Sequence, residues 1–323
     1  MTAALIETVT GEDALALLWP EWMTLWRRVP GALPFLAPPW LAPWWRVFGN
    51  GRPVVGVLRV GGVLSGVLPL YRLDDKLLPM GVGVSDYFDA LLAPEAPPDA
   101  AARLLAATLA RGSAPRCDLP ELPPEARLLR AATPDGWRRE DWGGPPCPVL
   151  RLLPAPVIPR GMRRDLRLAR NRAARIGGFM VERATEETWP GLLRDLIHLH
   201  GLRWQGRDES GVLAEPDVLA FHRLATPALL AAGLLRLETL RLHGAATAVM
   251  HALLGENSIF FYLSGFDPAF GFESPGTILL GHMIEAAVAE DRHEAHFLRG
   301  DEGYKYGWGA VDRRNSGRSF VRA

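Results

Sequence analysis

Apolar positions in this 323-residue chain switch between helical and strand periods, and each switch marks a predicted element. Leu15, Leu18, Trp22, Leu25 and Trp26 recur at helical spacing, and Thr10 with Asp13 has the form of a capping box. A first amphipathic helix is therefore predicted to run to about Arg28, ended by Pro30 and Pro34. A second is predicted from Pro38 or Pro39, with Trp40, Leu41, Trp44, Trp45 and Phe48 on one face. That spacing assigns the tryptophans to core packing rather than to an aromatic cage. Residues 54–70, VVGVLRVGGVLSGVLPL, read as a β-hairpin turning at Gly61-Gly62. Residues 99–110 read as a helix stopped by Gly112.

Between Pro115 and Pro159 lie eleven of the 28 prolines, a density that excludes long helices and predicts short strands and a crossover. A domain boundary is expected near Ala155, giving halves of 1–154 and 155–323. The next segment, RGMRRDLRLARNRAAR, carries seven arginines around a stripe of Met162, Leu166, Ala169, Ala173 and Ile176, and predicts an amphipathic helix. Its arginine face suits the phosphates of a nucleotide-linked ligand, an RNA or an acidic carrier protein; it also suits a merely solvated surface paired with Asp165 and Glu182. Further helices are predicted at 189–206 and 216–230, followed by a second hairpin at 234–254. Aligned residue by residue, Leu58–Val67 and Leu240–Val249 match strand, turn and strand, with Gly62 over Gly244.

Residues 259–263 read as a buried strand broken at Gly265, Asp267 and Pro268. A helix follows, with Ser274 as N-cap, Pro275 in its first turn and an apolar stripe of Ile278, Leu279, Met283, Ala286 and Ala287. Residues 295–298 read as a second short strand, and 300–309 as a polar, aromatic loop. Free backbone N–H groups at the helix start, around Ser274, Gly276 and Thr277, favour an anion such as a phosphate.

Composition narrows the classes. Hydrophobic residues make up 48% and charged residues 22% of the chain, which is the balance of a globular protein. Lys plus Arg and Asp plus Glu both number 36, so only local clusters can argue for nucleic acid or membrane. Cys117 and Cys147 give neither a disulfide framework nor a metal site, and His198 and His200, about 200° apart on a helix, are not a zinc pair. No metal is expected. With no apolar run near the ~20 residues of a span and no basic leader, a soluble cytoplasmic protein is expected.

The run Tyr262-Leu263-Ser264-Gly265-Phe266-Asp267-Pro268, then Ser274-Pro275-Gly276, then Phe297-Leu298-Arg299-Gly300-Asp301-Glu302 with Tyr304-Lys305, resembles the signature of the CelD/BcsL-type acyltransferases. These are GNAT-superfamily proteins related to the FemAB peptidyltransferases. The resemblance implies an α/β fold of two GNAT-like halves, each a mixed sheet flanked by helices, around a central cleft. It implies acyl transfer from a thioester donor, acyl-CoA or an acyl-carrier protein used as co-substrate, with no tightly bound cofactor. The acceptor would be an amine or hydroxyl of a sugar, amino acid or envelope/polysaccharide precursor. Aminoacyl transfer from tRNA and a non-catalytic GNAT-like scaffold are the alternatives, and the missing glycine-rich pyrophosphate loop keeps the donor open.

Within that reading, Lys305 is expected to stabilise an oxyanion or phosphate, Tyr304 to protonate the leaving group, and Asp301 or Glu302 to take the acceptor's proton. Asp86 is a further candidate base, with a turn-stabilising aspartate as its plain alternative. Arg203-Trp204, Tyr262, Asp267, Trp308 and Tyr87 are expected at the substrate. His296 stands where family members commonly have an acidic residue, either as a base or as a tolerated strand residue.

Overall fold

The computed structural model describes residues 4–205 and 211–323. In chain order the elements are β1 (Ala4–Val9), α1 (Glu12–Arg28), α2 (Pro38–Phe48), β2 (Arg52–Val60), β3 (Val63–Leu73), β4 (Lys76–Pro79), β5 (Leu91–Leu92), α3 (Ala100–Gly112), β6 (Arg116–Leu122), α4 (Arg127–Arg130) and β7 (Trp137–Arg151). They continue with α5 (Arg160–Arg175), β8 (Phe179–Arg183), α6 (Trp189–Gln205), α7 (Pro216–Ala231), β9 (Leu235–Leu242), β10 (Ala245–Leu254), β11 (Ser258–Phe266), α8 (Pro275–Ala289), β12 (Glu294–His296), α9 (Gly303–Gly307) and β13 (Val311–Arg322).

Two compact units divide the chain, one of Met1–Pro146 with Arg313–Ala323 and one of Cys147–Asp312. Ala155, where the sequence suggests a boundary, lies inside the second unit, and the last strand belongs to the first. The first unit orders its strands β1-β2-β3-β4-β6-β13-β7, with β5 against β3; the second orders the end of β7 and then β12-β11-β10-β9-β8. Each repeats one topology: a strand, two helices, a three-strand meander, a helix, and a strand parallel to the meander's last.

The repeat extends to backbone detail. Both hairpins turn through two residues of positive φ, Gly61 and Gly62 in one and His243 and Gly244 in the other, the form that matches strand twist. In each, the register skips the third residue after the turn's last glycine, Ser65 and Thr247. The bulged carbonyl then accepts an equivalent amide, Ala93 N–H at 2.9 Å and Asp267 N–H at 2.9 Å. The fold is thus α/β with two GNAT-like halves.

In the first unit Trp22, Trp40 and Trp44 are fully buried, with Trp40 Nε1 donating to Ser85 Oγ at 2.9 Å; the helical aromatics are core. In the second unit one sheet face, with Leu240, Met250, Ala252, Ile259 and Phe261, packs under α5 and α8. α8 is apolar nearly all round because it is buried nearly all round.

Several local expectations are corrected. α1 starts after Gly11, with no side-chain cap; β1 pairs with β2 as far as Val9, leaving only Thr10 and Gly11 to turn the chain. Gly112 is inside α3, where an added Cβ would lie 2.5 Å from Leu77, and Ser113 takes the left-handed stop at φ 51°. Gly265 does not break its strand: β11 runs through it to Phe266. β12 ends at His296, because Leu298 adopts φ 60°, and the expected loop at 300–309 contains α9. β1 and β8 are unpredicted edge strands, six and five residues long and largely not buried. The expected helix end at Gly206, and the glycine-containing loop after Arg203-Trp204, lie outside the described residues.

Candidate active site

The site is built where β11 and β12 part. The two pair in parallel only from Ser258↔Glu294 to Phe260↔His296, after which β12 stops and β11 continues alone on that side. A register shift against β10 at Tyr262 tilts the rest of β11, and this stretch carries Ser264, Gly265 and Phe266. Gly265 permits α6 to lie against the strand backbone: a Cβ there would be 2.3 Å from His200 N and 2.4 Å from Leu199 C. Close approach brings two α6 side chains onto Ser264. His200 Nδ1 lies 3.0 Å from its carbonyl oxygen, and Arg203 Nη1 donates to Ser264 Oγ at 2.6 Å.

Arg203 also hydrogen-bonds Tyr304, and its guanidinium lies 5.7 Å from the Phe266 ring centroid. Its Nε is buried without a partner among the described residues. Among the described residues its hydrogen-bond partners are neutral hydroxyls, with the Glu302 carboxylate near enough to feel its charge, and beside a cavity such a cation can receive an anion. Although the residue as a whole is 41% exposed, desolvation raises the Tyr304 hydroxyl above its ordinary pKa, against the opposing charge of Arg203, so the phenol keeps its proton near neutrality. Burial lowers His200, which stays a neutral ring.

At the start of α8, Ser274 takes a left-handed backbone, φ 53° and ψ 55°. Its side chain does not cap the helix; Oγ donates to Gly271 O at 3.1 Å, and its carbonyl accepts from Thr277 and Ile278. Pro275 has no N–H to offer, so the first amide this helix start can present is that of Gly276, on the pocket wall.

Around these groups lies a pocket of about 370 Å³. Arg203, Ser264, Ser274, Gly276, Thr277 and Tyr304 line its polar side; Met162, Val249, Met250, Phe266, Leu279, Leu280 and Trp308 line the rest. Of the residues singled out from sequence, Arg203, Ser274, Gly276, Thr277, Tyr304 and Trp308 are brought together here. Ser264 stood inside the recognised motif unselected, and Met162, Val249 and Met250 carried no motif signal.

The other candidates sit elsewhere. Lys305 is buried, and its Nζ donates to the carbonyls of Leu298, Arg299 and Gly300 at 3.3, 2.7 and 3.2 Å and pairs with Glu302 at 2.8 Å. Four acceptors occupy its three donors, so this lysine fastens the chain after β12. Desolvation raises the Glu302 carboxyl, but the hydrogen bond and charge of Lys305, with Arg203 beyond, outweigh it and hold the group below its ordinary value. Asp301 is exposed and off the pocket wall.

Asp267 caps its own turn by accepting from Ala269 N–H, and Trp204 and Tyr262 lie off the wall, Tyr262 against the His222 and His251 rings. Asp86 and Tyr87 belong to the first unit: Asp86 is buried with its carbonyl accepting from Asn315 Nδ2, and Tyr87 is a core ring edge-on to Phe35. His296 stacks on Phe260 and lies 3.2 Å from Glu294. Among the described residues no group of His, Cys, Asp or Glu is arranged to hold a metal, and no helix is long and apolar enough to cross a membrane.

No curated protein is matched by sequence. Among solved structures the fold is similar to FemX, with a TM-score of 0.66 and 12% identity over 97% of this chain and 96% of that one. It is also similar to the C-terminal domain of a putative lysylphosphatidylglycerol synthetase from Agrobacterium fabrum, at TM-score 0.61 and 14% identity over 95% and 92%. A lysylphosphatidylglycerol synthetase structure from Bacillus licheniformis aligns at TM-score 0.57 and 13% identity over 87% of each chain. Residues 160–306, which hold every named residue of the pocket wall except Trp308, match the acetyltransferase (GNAT) domain family.

Proposed function

We propose that the chain is an acyltransferase that takes an acyl group from a thioester donor, acyl-CoA or an acyl-carrier protein, and delivers it to an amine or hydroxyl of a sugar, amino acid or envelope precursor, in the manner of the CelD/BcsL-type enzymes. The observation that carries this reading is the parting of β11 and β12 beside the first turn of α8 and an arginine whose Nε has no partner among the described residues. An extended donor arm fits along the unpaired edge of β11, with a donor anion at Arg203 and the Gly276 amide. In the transfer the acceptor's nitrogen or oxygen bonds to the acyl carbon, the carbon–sulfur bond breaks, and the acceptor's proton leaves as the departing sulfur gains one. Tyr304, protonated and on the wall, is the candidate donor of that proton. Lys305 acts through loop position, holding the segment that carries Tyr304.

Aminoacyl transfer from tRNA is a second reading, supported by the exposed arginines of α5, which suit phosphates.

Thermal unfolding with acyl-CoA tests the proposal. A thioester at 100 times its dissociation constant adds ~2.7 kcal/mol, and Arg203→Ala should abolish the shift while the apo transition stays put. Thiol release on adding amine acceptors should follow the same dependence. A full shift in Arg203→Ala would place the donor elsewhere, and absence of thiol release with every thioester would favour the scaffold alternative.

A further inference from the structure

The arginines of α5 divide into two groups. Toward the C-terminal half two are used internally, Arg170 making two bonds to Glu285 and Arg172 donating to Phe272 O and covering its ring, while Arg175 at the helix end is exposed. In the N-terminal half Arg160, Arg163 and Arg167 are exposed and their side chains have no hydrogen bond or ion pair among the described residues, while the Arg164 side chain pairs with its neighbour Asp165. These four span about 10 Å of helix at 1.5 Å per residue. The free half is also the half at the pocket, because Met162 lines it.

Direction decides what these arginines are for. At ~100° per residue, Arg160, Arg164 and Arg167 fall roughly 140–160° around the helix from Met162. A small ligand seated in the pocket meets Met162 and not the outer arginines, whereas a macromolecule that lies on the helix and feeds a thioester arm inward meets both. Apolar exposure separates the kinds of macromolecule. Leu168, one turn from Arg164, is 39% exposed, and Val157, just before the helix, is 84% exposed. Arginines framing exposed aliphatic side chains suit a protein interface, while a sugar–phosphate backbone gains little from Leu and Val. With a formal net charge of zero the chain has no overall field for a polyanion, so the attraction is confined to this helix.

We infer that the outer face of α5 is the docking surface for an acidic acyl-carrier protein, whose phosphopantetheine-linked thioester enters the pocket past Met162. The inference rests on the thioester-donor reading of the pocket and names the form in which the donor arrives.

The test measures binding and transfer separately. Fluorescence anisotropy with labelled holo-acyl-carrier protein should show binding that weakens steeply with salt and falls at least tenfold in Arg164→Glu/Arg167→Glu, with Arg164→Gln/Arg167→Gln in between. In the same variants, kcat/KM with an octanoyl-carrier thioester should fall at least tenfold, while octanoyl-CoA stays within twofold of the parent. Absence of carrier binding by the parent chain, or binding that survives charge reversal, overturns the docking surface. An equal fall with octanoyl-CoA also overturns it, by assigning the arginines to a ligand phosphate. Reversal that removes only tRNA or anionic-vesicle retention overturns it in favour of that partner. If carrier binding behaves as expected but no thioester is consumed, the docking surface stands and the acyltransferase reading fails.

Discussion

Arg203 and Lys305 show how differently two cations of one motif-bearing unit are used. The resemblance implies a role for both, but only the structure shows that Lys305 directs its donors to three carbonyls and Glu302, while Arg203 keeps a buried Nε without a partner among the described residues. No local pattern separates them, since the difference lies in which backbone oxygens fold around each nitrogen. The buried histidines offer a test at this scale. His251 has no partner at either ring nitrogen among the described residues, faces His222 of α7 and Tyr262 of β11, and is held by burial at about 4. His222 is held well below its ordinary value by burial and by the charges of His251 and His200. Below pH ~6.5 the unfolded chain therefore binds protons that the folded chain refuses, so stability is full above that pH and falls as pH drops toward ~4. For His251 alone the loss is roughly 3 kcal/mol over that window. Urea unfolding at pH 7.5 and 5 should show the decline, and His251→Gln should flatten it; equal slopes would mean that the ring does not couple to folding.

For elements, periodicity was a sound guide to α2, α5, α7 and both hairpins, whose signals are local. It misread glycine, because a glycine looks the same in sequence whether it turns the chain or admits a neighbour. Gly265 is the admitting kind. Gly265→Ala is expected to cost about 1–3 kcal/mol in urea unfolding, because the Cβ would push α6 off β11, and to raise KM for the donor by displacing Arg203. Gly201, on the same helix, has open space where a Cβ would go. Gly201→Ala should stabilise the protein by about 0.5–1 kcal/mol, so the pair of variants separates packing from helix propensity.

At the scale of the molecule, the last strand completes the first unit rather than the second. Phe320 and Ser319 of β13 are fully buried, Arg318 grips Asp141 with two bonds at 2.7 and 3.1 Å, and Asn315 bonds Asp86 O and Glu121. A chain ended at Asp312 should therefore lose the cooperative unfolding of the first unit in calorimetry while keeping acyl-CoA binding in the second; loss of both would show that the pocket depends on the first unit. The sequence by itself determined the α/β class, the repeated hairpin, the basic helix and the segment that begins α8, because each is written in neighbouring residues. Only the tertiary structure decided the return of β13, the close approach at Gly265 and the meeting of Arg203, Ser264 and Tyr304. Those three come from α6, β11 and α9, and their contact follows from the packing of α6 on β11, which no single stretch of sequence encodes.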